Sequence, residues 1–287
     1  MRKLRGCLLC TGILLQRRLF SPKAAFALVM MGIFSYTTYS PLLTVAETFG
    51  VSISPWLLPF FLSYYLLGMV HGCLCLLLFS DTGENDAYAL LLVARCGRIS
   101  YPLARVLETL ASAFLYAIAL FLLSLLIALP KLEWTAEWGI LIHSLSTDGA
   151  RLAGLSGVSL NFFVSPSFLA QTAPIPATLA ALCSLALSAA FVGVLVGFCR
   201  LFFGKSAALA AAGVVLFLVI FVQFSGSLTY GPWVTYLSPL SWANLQTLDW
   251  SGTGTGPSPA YAFAVWMGSI LLIGALSVAG FARRDVV

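Results

Sequence analysis

The sequence is poor in charged residues. Only 9% of its 287 residues are Asp, Glu, Lys or Arg, whereas 60% are hydrophobic. A soluble globular domain carries about a quarter of its residues as charged side chains, so the composition excludes that class. It also excludes a disordered chain, which needs low hydrophobicity and high charge. The remaining class is an all-α polytopic membrane protein with one domain over residues 1–287, because an open sheet would leave backbone groups unpaired in lipid.

Residues that support catalysis are also scarce. The two histidines, His71 and His143, fall on different predicted elements, whereas a metal site usually needs three or four converging ligands. Gly204-Lys205-Ser206 resembles the end of a nucleotide-binding loop, but Cys199 stands where the first glycine of that loop is required. The sequence has no serine-nucleophile motif and no His-Glu-x-x-His helix. We therefore expect no enzyme activity, no metal and no cofactor in this chain.

The cysteines do not predict a disulfide framework. All seven lie in predicted membrane spans or on one side of the membrane. Cys7-x-x-Cys10 has the spacing of a redox or metal pair, yet no second ligand pair accompanies it. The favoured interpretation is that both are small apolar residues on a surface helix.

Six apolar segments are long enough to cross a membrane. A spanning helix needs about 20 apolar residues, because each residue adds about 1.5 Å of rise across about 30 Å of hydrocarbon. The predicted spans are 24–43, 56–79, 106–129, 177–199, 206–224 and 260–282.

The basic residues predict the orientation of these spans. Thirteen of the fifteen Lys and Arg residues flank the spans on one side, and only Lys131 and Arg151 fall on the other. Because Lys and Arg near span ends stay in the cytoplasm, both termini are predicted to be cytoplasmic. The net charge of +5 is then explained by topology, and we expect no nucleic-acid partner.

Residues 1–22 are predicted to form a basic amphipathic helix on the inner membrane face. Leu8 and Leu19 would face lipid, and Arg5 and Arg17 would face phosphates. A basic flank that only stops translocation has a similar pattern, so that alternative stays open.

The cytoplasmic loop 80–105 is predicted to contain a short helix. Asp86 is a suitable N-cap and Gly97 a suitable stop, which leaves about ten mostly apolar residues between them. Such a helix is too short to cross the membrane and too apolar to float in water. It lies either in the lipid interface or against a partner.

Two longer segments, 130–176 and 225–259, are predicted to lie on the extracytoplasmic side. Both carry tryptophans, which anchor at the level of the lipid headgroups. Within the second, 236–242 is compatible with either a re-entrant element or a surface helix. The sequence has no internal repeat, which weakens the interpretation as a secondary transporter built from duplicated halves.

His71 and Glu108 are the notable polar groups in or beside the spans. Burying an ionisable group in the membrane costs about 3 kcal/mol, so such groups face a cavity or a partner. We expect Glu108 to pair with Arg105, one turn away, in preference to contacting a substrate. We expect His71 to be neutral and hydrogen-bonded between helices in preference to binding cargo.

Close helix packing is indicated by two pairs of glycines, Gly68-x-x-x-Gly72 and Gly193-x-x-x-Gly197. Small residues at this spacing let two helix backbones approach each other. The sequence does not decide whether the packing occurs inside one subunit or at a dimer interface.

The cytoplasmic loop contains Leu78-Phe79-Ser80-Asp81 and Arg95-Cys96-Gly97-Arg98. These motifs resemble the corresponding loop in the permease subunit of bacterial type-two ATP-binding cassette (ABC) exporters. The run 236–243 is similar to its outer segment, and 281–286 to its C-terminal ending.

The resemblance implies a permease in the cytoplasmic membrane of a bacterium. Two permease subunits, identical or different, would work with separate ABC ATPase subunits that bind ATP and Mg²⁺, and membrane lipid would surround them. The short helix, over about 86–94, would be a coupling helix that docks in the ATPase. The residues implied for docking are Asp86, Tyr88, Leu91, Leu92, Arg95 and Arg98.

The implied function is export of an amphipathic small molecule, a peptide or a lipid-like substrate. Two alternatives stay open. In the first, the chain is a stand-alone channel or secondary carrier. In the second, it is a membrane sensor or assembly partner that transports nothing.

Overall fold

The computed structural model describes residues 2–82, 87–161, 163–254 and 256–283, and most of the chain within these ranges is helical. The one β-bridge in this part of the chain joins Ile53 to Leu132. The predicted all-α class is therefore confirmed for the described residues. The α-helices are α1 (Arg2–Leu19), α2 (Pro22–Phe49), α3 (Tyr65–Phe79), α4 (Ala87–Cys96), α5 (Ser100–Ala128), α6 (Gly139–Ser156), α7 (Pro166–Gln171), α8 (Pro174–Phe203), α9 (Lys205–Phe221), α10 (Ser227–Tyr230) and α11 (Pro259–Arg283).

Five helices in the described ranges are long and apolar enough to cross a membrane, namely α2, α5, α8, α9 and α11. They coincide with five of the six predicted spans and extend beyond most of the predicted ends. At the start of α2, for example, the Ser21 hydroxyl accepts a hydrogen bond from the Ala24 amide at 3.2 Å. At its other end Gly50 adopts a positive φ of 65°, which ends the helix.

The predicted span 56–79 has a different structure. Its first part is the 3₁₀-helix Leu58–Ser63, and only α3, with 15 residues, is α-helical. At about 1.5 Å per residue α3 rises about 22 Å, less than the hydrocarbon thickness. Pro59 stands in the first turn of the 3₁₀-helix, where it has no amide hydrogen to donate to a preceding α-helical turn. The six-span topology with cytoplasmic termini stays a prediction.

Helix α8 is the centre of the bundle. It packs against α3, α5, α9 and α11. In its most apolar window 67% of the residues are buried, whereas the corresponding fraction in the other four long helices is 33% or less. Small residues along α8 let the neighbouring helices pack closely around it.

Both glycine pairs lie at close contacts inside the chain. A Cβ atom placed on Gly193 would lie 2.6 Å from Cγ2 of Thr109, and one on Gly197 would lie 2.9 Å from Cγ2 of Thr82. In α3, Gly68 faces the side chain of Gln223, and Gly72 faces side chains of α9 and of the outer segment. These glycines therefore serve packing inside the subunit, one of the two alternatives that the sequence left open.

Within the segment 225–259, residues 236–242 do not form a surface α-helix, and the alternative of a re-entrant element stays a prediction. After the short helix α10, this segment forms 3₁₀-helices at Pro232–Leu237, Ser241–Ala243 and Leu245–Thr247. Trp242 is 1% exposed, and Trp138 of the other outer segment is 4% exposed. The predicted role as membrane anchors therefore does not apply to these two tryptophans, which fill the core; Trp134 and Trp233 are exposed as that role requires.

Candidate functional site

Helix α4 is the short helix predicted between the second and third spans. It covers Ala87–Cys96, against a predicted range of 86–94, and Asp86 itself lies outside the described residues. Gly97 follows with a positive φ of 93°, and its amide donates to the carbonyl of Val93 at 2.8 Å. Gly97 is therefore the helix stop that the sequence predicted.

One face of α4 is buried against α1 and α5. Ala89 and Leu92 are 3% and 5% exposed and belong to a small core with Cys10, Tyr101 and Phe281. Leu92 was expected on a ridge that faces a partner, but it is used inside the chain. The physical reason is that α1 packs on α4 and covers this side chain instead of lying only on lipid.

The opposite face of α4 is exposed. Leu90 and Leu91 are 47% and 60% exposed, and Arg95 and Arg98 are also exposed. Tyr88 belongs to the helix, but its side chain is not among those described. We define Leu90, Leu91 and Arg95 as the α4 outer face. This outer face combines an apolar surface with a cation, and the opposite face of the helix is packed against α1 and α5.

Helix α1 covers nearly the predicted range, but it has a buried face in addition to the predicted exposed one. Leu8 and Leu19 are 58% and 47% exposed, as a helix at a lipid surface requires. A second stripe at positions 7, 10 and 14 is buried against α5 and α4. The helix therefore contributes to the protein core as well as to the surface.

The thiols of Cys7 and Cys10 are packing groups at neutral pH. Burial, together with the nearby Cys96, raises the pKa of the Cys10 thiol to about 12, and the same causes raise that of Cys7. A protonated thiol is neither a good nucleophile nor a metal ligand. No group of three or more His, Cys, Asp or Glu suited to a metal ion occurs among the described residues. The proximity of Cys96 was not visible in the Cys7-x-x-Cys10 spacing.

Glu108 is paired with Arg18 of α1 and not with the predicted Arg105. Its carboxylate is 1% exposed and forms an ion pair with the Arg18 guanidinium, including a bond from Nη2 at 3.1 Å. The hydroxyl of Ser112 donates a further bond at 3.0 Å. Arg105 instead donates to the Tyr101 hydroxyl from Nε and Nη2, at 3.0 and 2.9 Å. The predicted pair was wrong because α1 packs on α5 and brings Arg18 to Glu108. A rule for residues one turn apart on the same helix cannot predict such a long-range contact.

Three cations bind the C-terminal end of α3, and we call Arg18, Lys23 and Arg200 the basic node. Arg18 donates to the carbonyl of Leu78 and to the Thr82 hydroxyl. Lys23 forms an ion pair with Asp81 and donates to the Ser80 hydroxyl, and Arg200 donates to the Ser80 carbonyl at 2.6 Å. Cations suit this place because the carbonyls at a helix C-terminus carry partial negative charge. The sequence had interpreted these residues only as markers of topology.

His71 links three helices. Its Nδ1 lies 2.9 Å from the Tyr116 hydroxyl of α5, and its Nε2 lies 3.0 Å from the Ser188 hydroxyl of α8. The side chain is 1% exposed. The expected hydrogen bonding between helices is therefore found, and both ring nitrogens are engaged inside the bundle.

Comparison of this chain with protein-family models, with curated proteins and with solved structures gives no match. The functional assignment therefore has to be argued from the residues and from the geometry of the chain.

Proposed function

We propose that this chain is the transmembrane permease subunit of an ATP-driven exporter in the cytoplasmic membrane of a bacterium. The observation that carries the proposal is the α4 outer face. A ten-residue helix rises only about 15 Å and does not cross a bilayer. Its exposed leucines need an apolar neighbour, and Arg95 suits an acidic rim, so we assign the face to the groove of a separate ATPase subunit.

The basic node supports this assignment because it provides a path for mechanical coupling. The connection after α3 leads to α4, and its first residues, Ser80 to Thr82, are bound by Arg18, Lys23 and Arg200 from α1, α2 and α8. When ATP closes a pair of ATPase subunits, a displacement of α4 would reach these helices through the node. Transport then requires that cargo affinity differ between the two states.

The cargo class in this proposal is an amphipathic small molecule, a peptide or a lipid-like molecule. The exposed aromatic side chains of the outer segments, such as Trp134 and Trp233, suit a molecule with apolar parts. Two permease subunits, identical or different, would enclose its path, and ATP with Mg²⁺ would be bound by the ATPase partner.

The test is co-purification of the permease with the ATPase encoded beside it. Leu91→Asp places a charge on the α4 outer face, and we expect it to abolish the complex. Leu155→Asp is the matched control, because Leu155 on α6 is 63% exposed and Leu91 is 60% exposed. A complex that survives Leu91→Asp would overturn the docking assignment.

A second measurement separates this proposal from a stand-alone channel or carrier. The purified chain alone, reconstituted in liposomes, is expected to transport nothing until the ATPase and ATP are added. Transport by the chain alone that is unaffected by Leu91→Asp would favour the channel or carrier. A complex that forms but never transports would favour the sensor or assembly partner.

A further inference from the structure

A polar cavity lies at the end of α3 opposite the basic node. It is formed by the 3₁₀-helix that precedes α3, by the π-helix Val222–Gly226 that follows α9, and by the 3₁₀-helices of the outer segment. Its lining carries hydroxyl and amide groups and, among the described residues, no ionisable group. We call it the neutral cavity, and the residues that line it are Ser63, Val222, Gln223, Thr235, Ser241, Asn244 and Thr247.

The neutral cavity is large enough for a small organic molecule. Its volume is about 220 Å³. An apolar cavity of about 150 Å³ binds benzene, so the neutral cavity has space for a six-membered ring. Because the lining is mostly polar, an apolar ring would leave its hydroxyl and amide groups without partners. The ring must therefore carry polar substituents.

Three hydroxyl groups of the lining use their protons inside the chain. Each donates a hydrogen bond to a main-chain carbonyl. They belong to Thr235, Ser241 and Thr247, and the bonds are 2.6, 2.7 and 2.8 Å long. A hydroxyl oxygen that donates its proton keeps lone pairs that accept other hydrogen bonds. Toward a ligand these three groups are therefore acceptors.

Two other side chains of the lining are donors toward a ligand. The Ser63 hydroxyl accepts a hydrogen bond from the amide of Phe163 at 3.0 Å, which leaves its own proton to be donated. The side-chain oxygen of Asn244 accepts from the amide of Gln246 at 3.2 Å, which leaves the NH₂ group of the same side chain. The neutral cavity thus offers both donors and acceptors, and a ligand hydroxyl group matches both.

Gln223 adds a hydrogen-bonding atom that the described part of the chain does not use. Its Oε1 is buried without a hydrogen-bond partner among these residues. The side-chain amide lies over Gly68, where a Cβ atom would be 3.0 Å from Oε1. The last torsion of a glutamine side chain is soft, so the amide can turn Oε1 toward a ligand. A buried acceptor without a donor destabilises the folded chain, and a ligand that donates to it removes this penalty.

The position of Gln223 also points to a functional site. It belongs to the π-helix Val222–Gly226, and single π-turns are rare and occur frequently at functional sites. The absence of ionisable groups among the described lining residues limits the class of ligand. An ammonium group would need a carboxylate, and an anionic group would need a cation.

We propose that the neutral cavity binds one uncharged sugar ring. Its hydroxyl groups would donate to Gln223 and to the hydroxyl oxygens of the lining, and would accept from Ser63 and Asn244. The inference goes beyond the proposed export function, because it involves neither the α4 outer face nor an ATPase. It stands if the docking assignment fails.

The test is saturation-transfer difference NMR on the full-length chain in a detergent without a sugar headgroup. The probes are glucose, the cationic glucosamine and the anionic glucuronate, which share one ring. Glucose is expected to bind, and both charged analogues are expected to bind at least about tenfold more weakly, since the lining offers no opposite charge. Absence of glucose binding, or equal affinity for the three probes, would overturn the proposal.

The variant Gln223→Met assigns the binding to this cavity. Methionine preserves the length of the side chain and removes its amide. Glucose affinity is expected to fall about fivefold, as for the loss of one hydrogen bond, while the midpoint of thermal unfolding without glucose stays at or above that of the wild type. The matched control is Gln171→Met, an exposed glutamine of α7 outside the cavity, which should leave glucose affinity unchanged. An unchanged glucose affinity in Gln223→Met would overturn the assignment.

Discussion

Arg18 and Glu108 form a buried ion pair across 90 residues of sequence, and it joins α1 to α5. The side chains are 9% and 1% exposed, so both charges are largely removed from water. Desolvation of this kind is tolerated only when further hydrogen bonds satisfy the remaining atoms. Ser112 donates one of those bonds to Glu108, and Thr82 accepts another from Arg18.

Removal of one partner of this pair should be strongly destabilising. Arg18→Met leaves the Glu108 carboxylate buried without its cation, and loss of one member of a buried pair costs about 3–5 kcal/mol. We expect a clearly lower midpoint of thermal unfolding in detergent, followed by intrinsic fluorescence. The double variant Arg18→Met with Glu108→Met should recover most of the loss, because it leaves no uncompensated charge. An unchanged midpoint in Arg18→Met would contradict the pairing.

The packing of α8 against α5 predicts a contrast between two glycines. In Gly193→Ala the new methyl group would meet Thr109 and the ring of Phe79, and overpacking costs about 1–3 kcal/mol. In Gly213→Ala, on α9, the methyl group meets no atom within 4 Å, and alanine favours a helix over glycine by about 1 kcal/mol. Thermal unfolding should therefore rank Gly213→Ala at or above the wild type and Gly193→Ala below it. The reverse order would show that the close approach at Gly193 is absent.

The hydrogen bond between His71 and Tyr116 predicts energetic coupling between α3 and α5. A double-mutant cycle with His71→Ala and Tyr116→Phe should give a coupling energy of about 0.5–1.5 kcal/mol, the usual net contribution of one hydrogen bond. The measurement is the unfolding free energy in detergent and denaturant for the four proteins. Strict additivity of the two single variants would argue against a structural role and would return His71 to the cargo-binding interpretation.

Asp249 predicts a pH dependence in the outer segment. Burial alone would raise the pKa of this carboxyl group, but hydrogen bonds from Ser251 and from the amide of Gly254 lower it to about 2. Because the ordinary value is 3.8, the carboxylate stabilises the folded segment fully above about pH 4, and this contribution decreases as the pH falls toward 2. Asp249→Ala should therefore lower the unfolding midpoint more at pH 6 than at pH 3. A difference that grows as the pH falls would contradict this assignment.

Patterns that depend on neighbouring residues predicted much of this structure. Long apolar runs identified five long helices, and the breaker Gly97 placed the end of α4 within two residues of the predicted boundary. Contacts between distant segments were not accessible in this way. The approach of α1 to α4 and α5 decides that Leu92 is buried, that Cys96 lies near Cys10, and that Glu108 is paired with Arg18. None of these contacts leaves a local periodic signal.

The basic node differs from an ordinary set of ion pairs because two of its contacts are made to main-chain atoms. Arg18 and Arg200 donate to the carbonyls of Leu78 and Ser80, and every residue type has such a carbonyl. Position 78 can therefore accept other side chains without loss of the Arg18 bond, whereas Arg18 also binds Thr82 and Glu108 through the same guanidinium group. Mutational tolerance at this junction should therefore be one-sided, with variation permitted at position 78 of α3 and restricted at position 18 of α1.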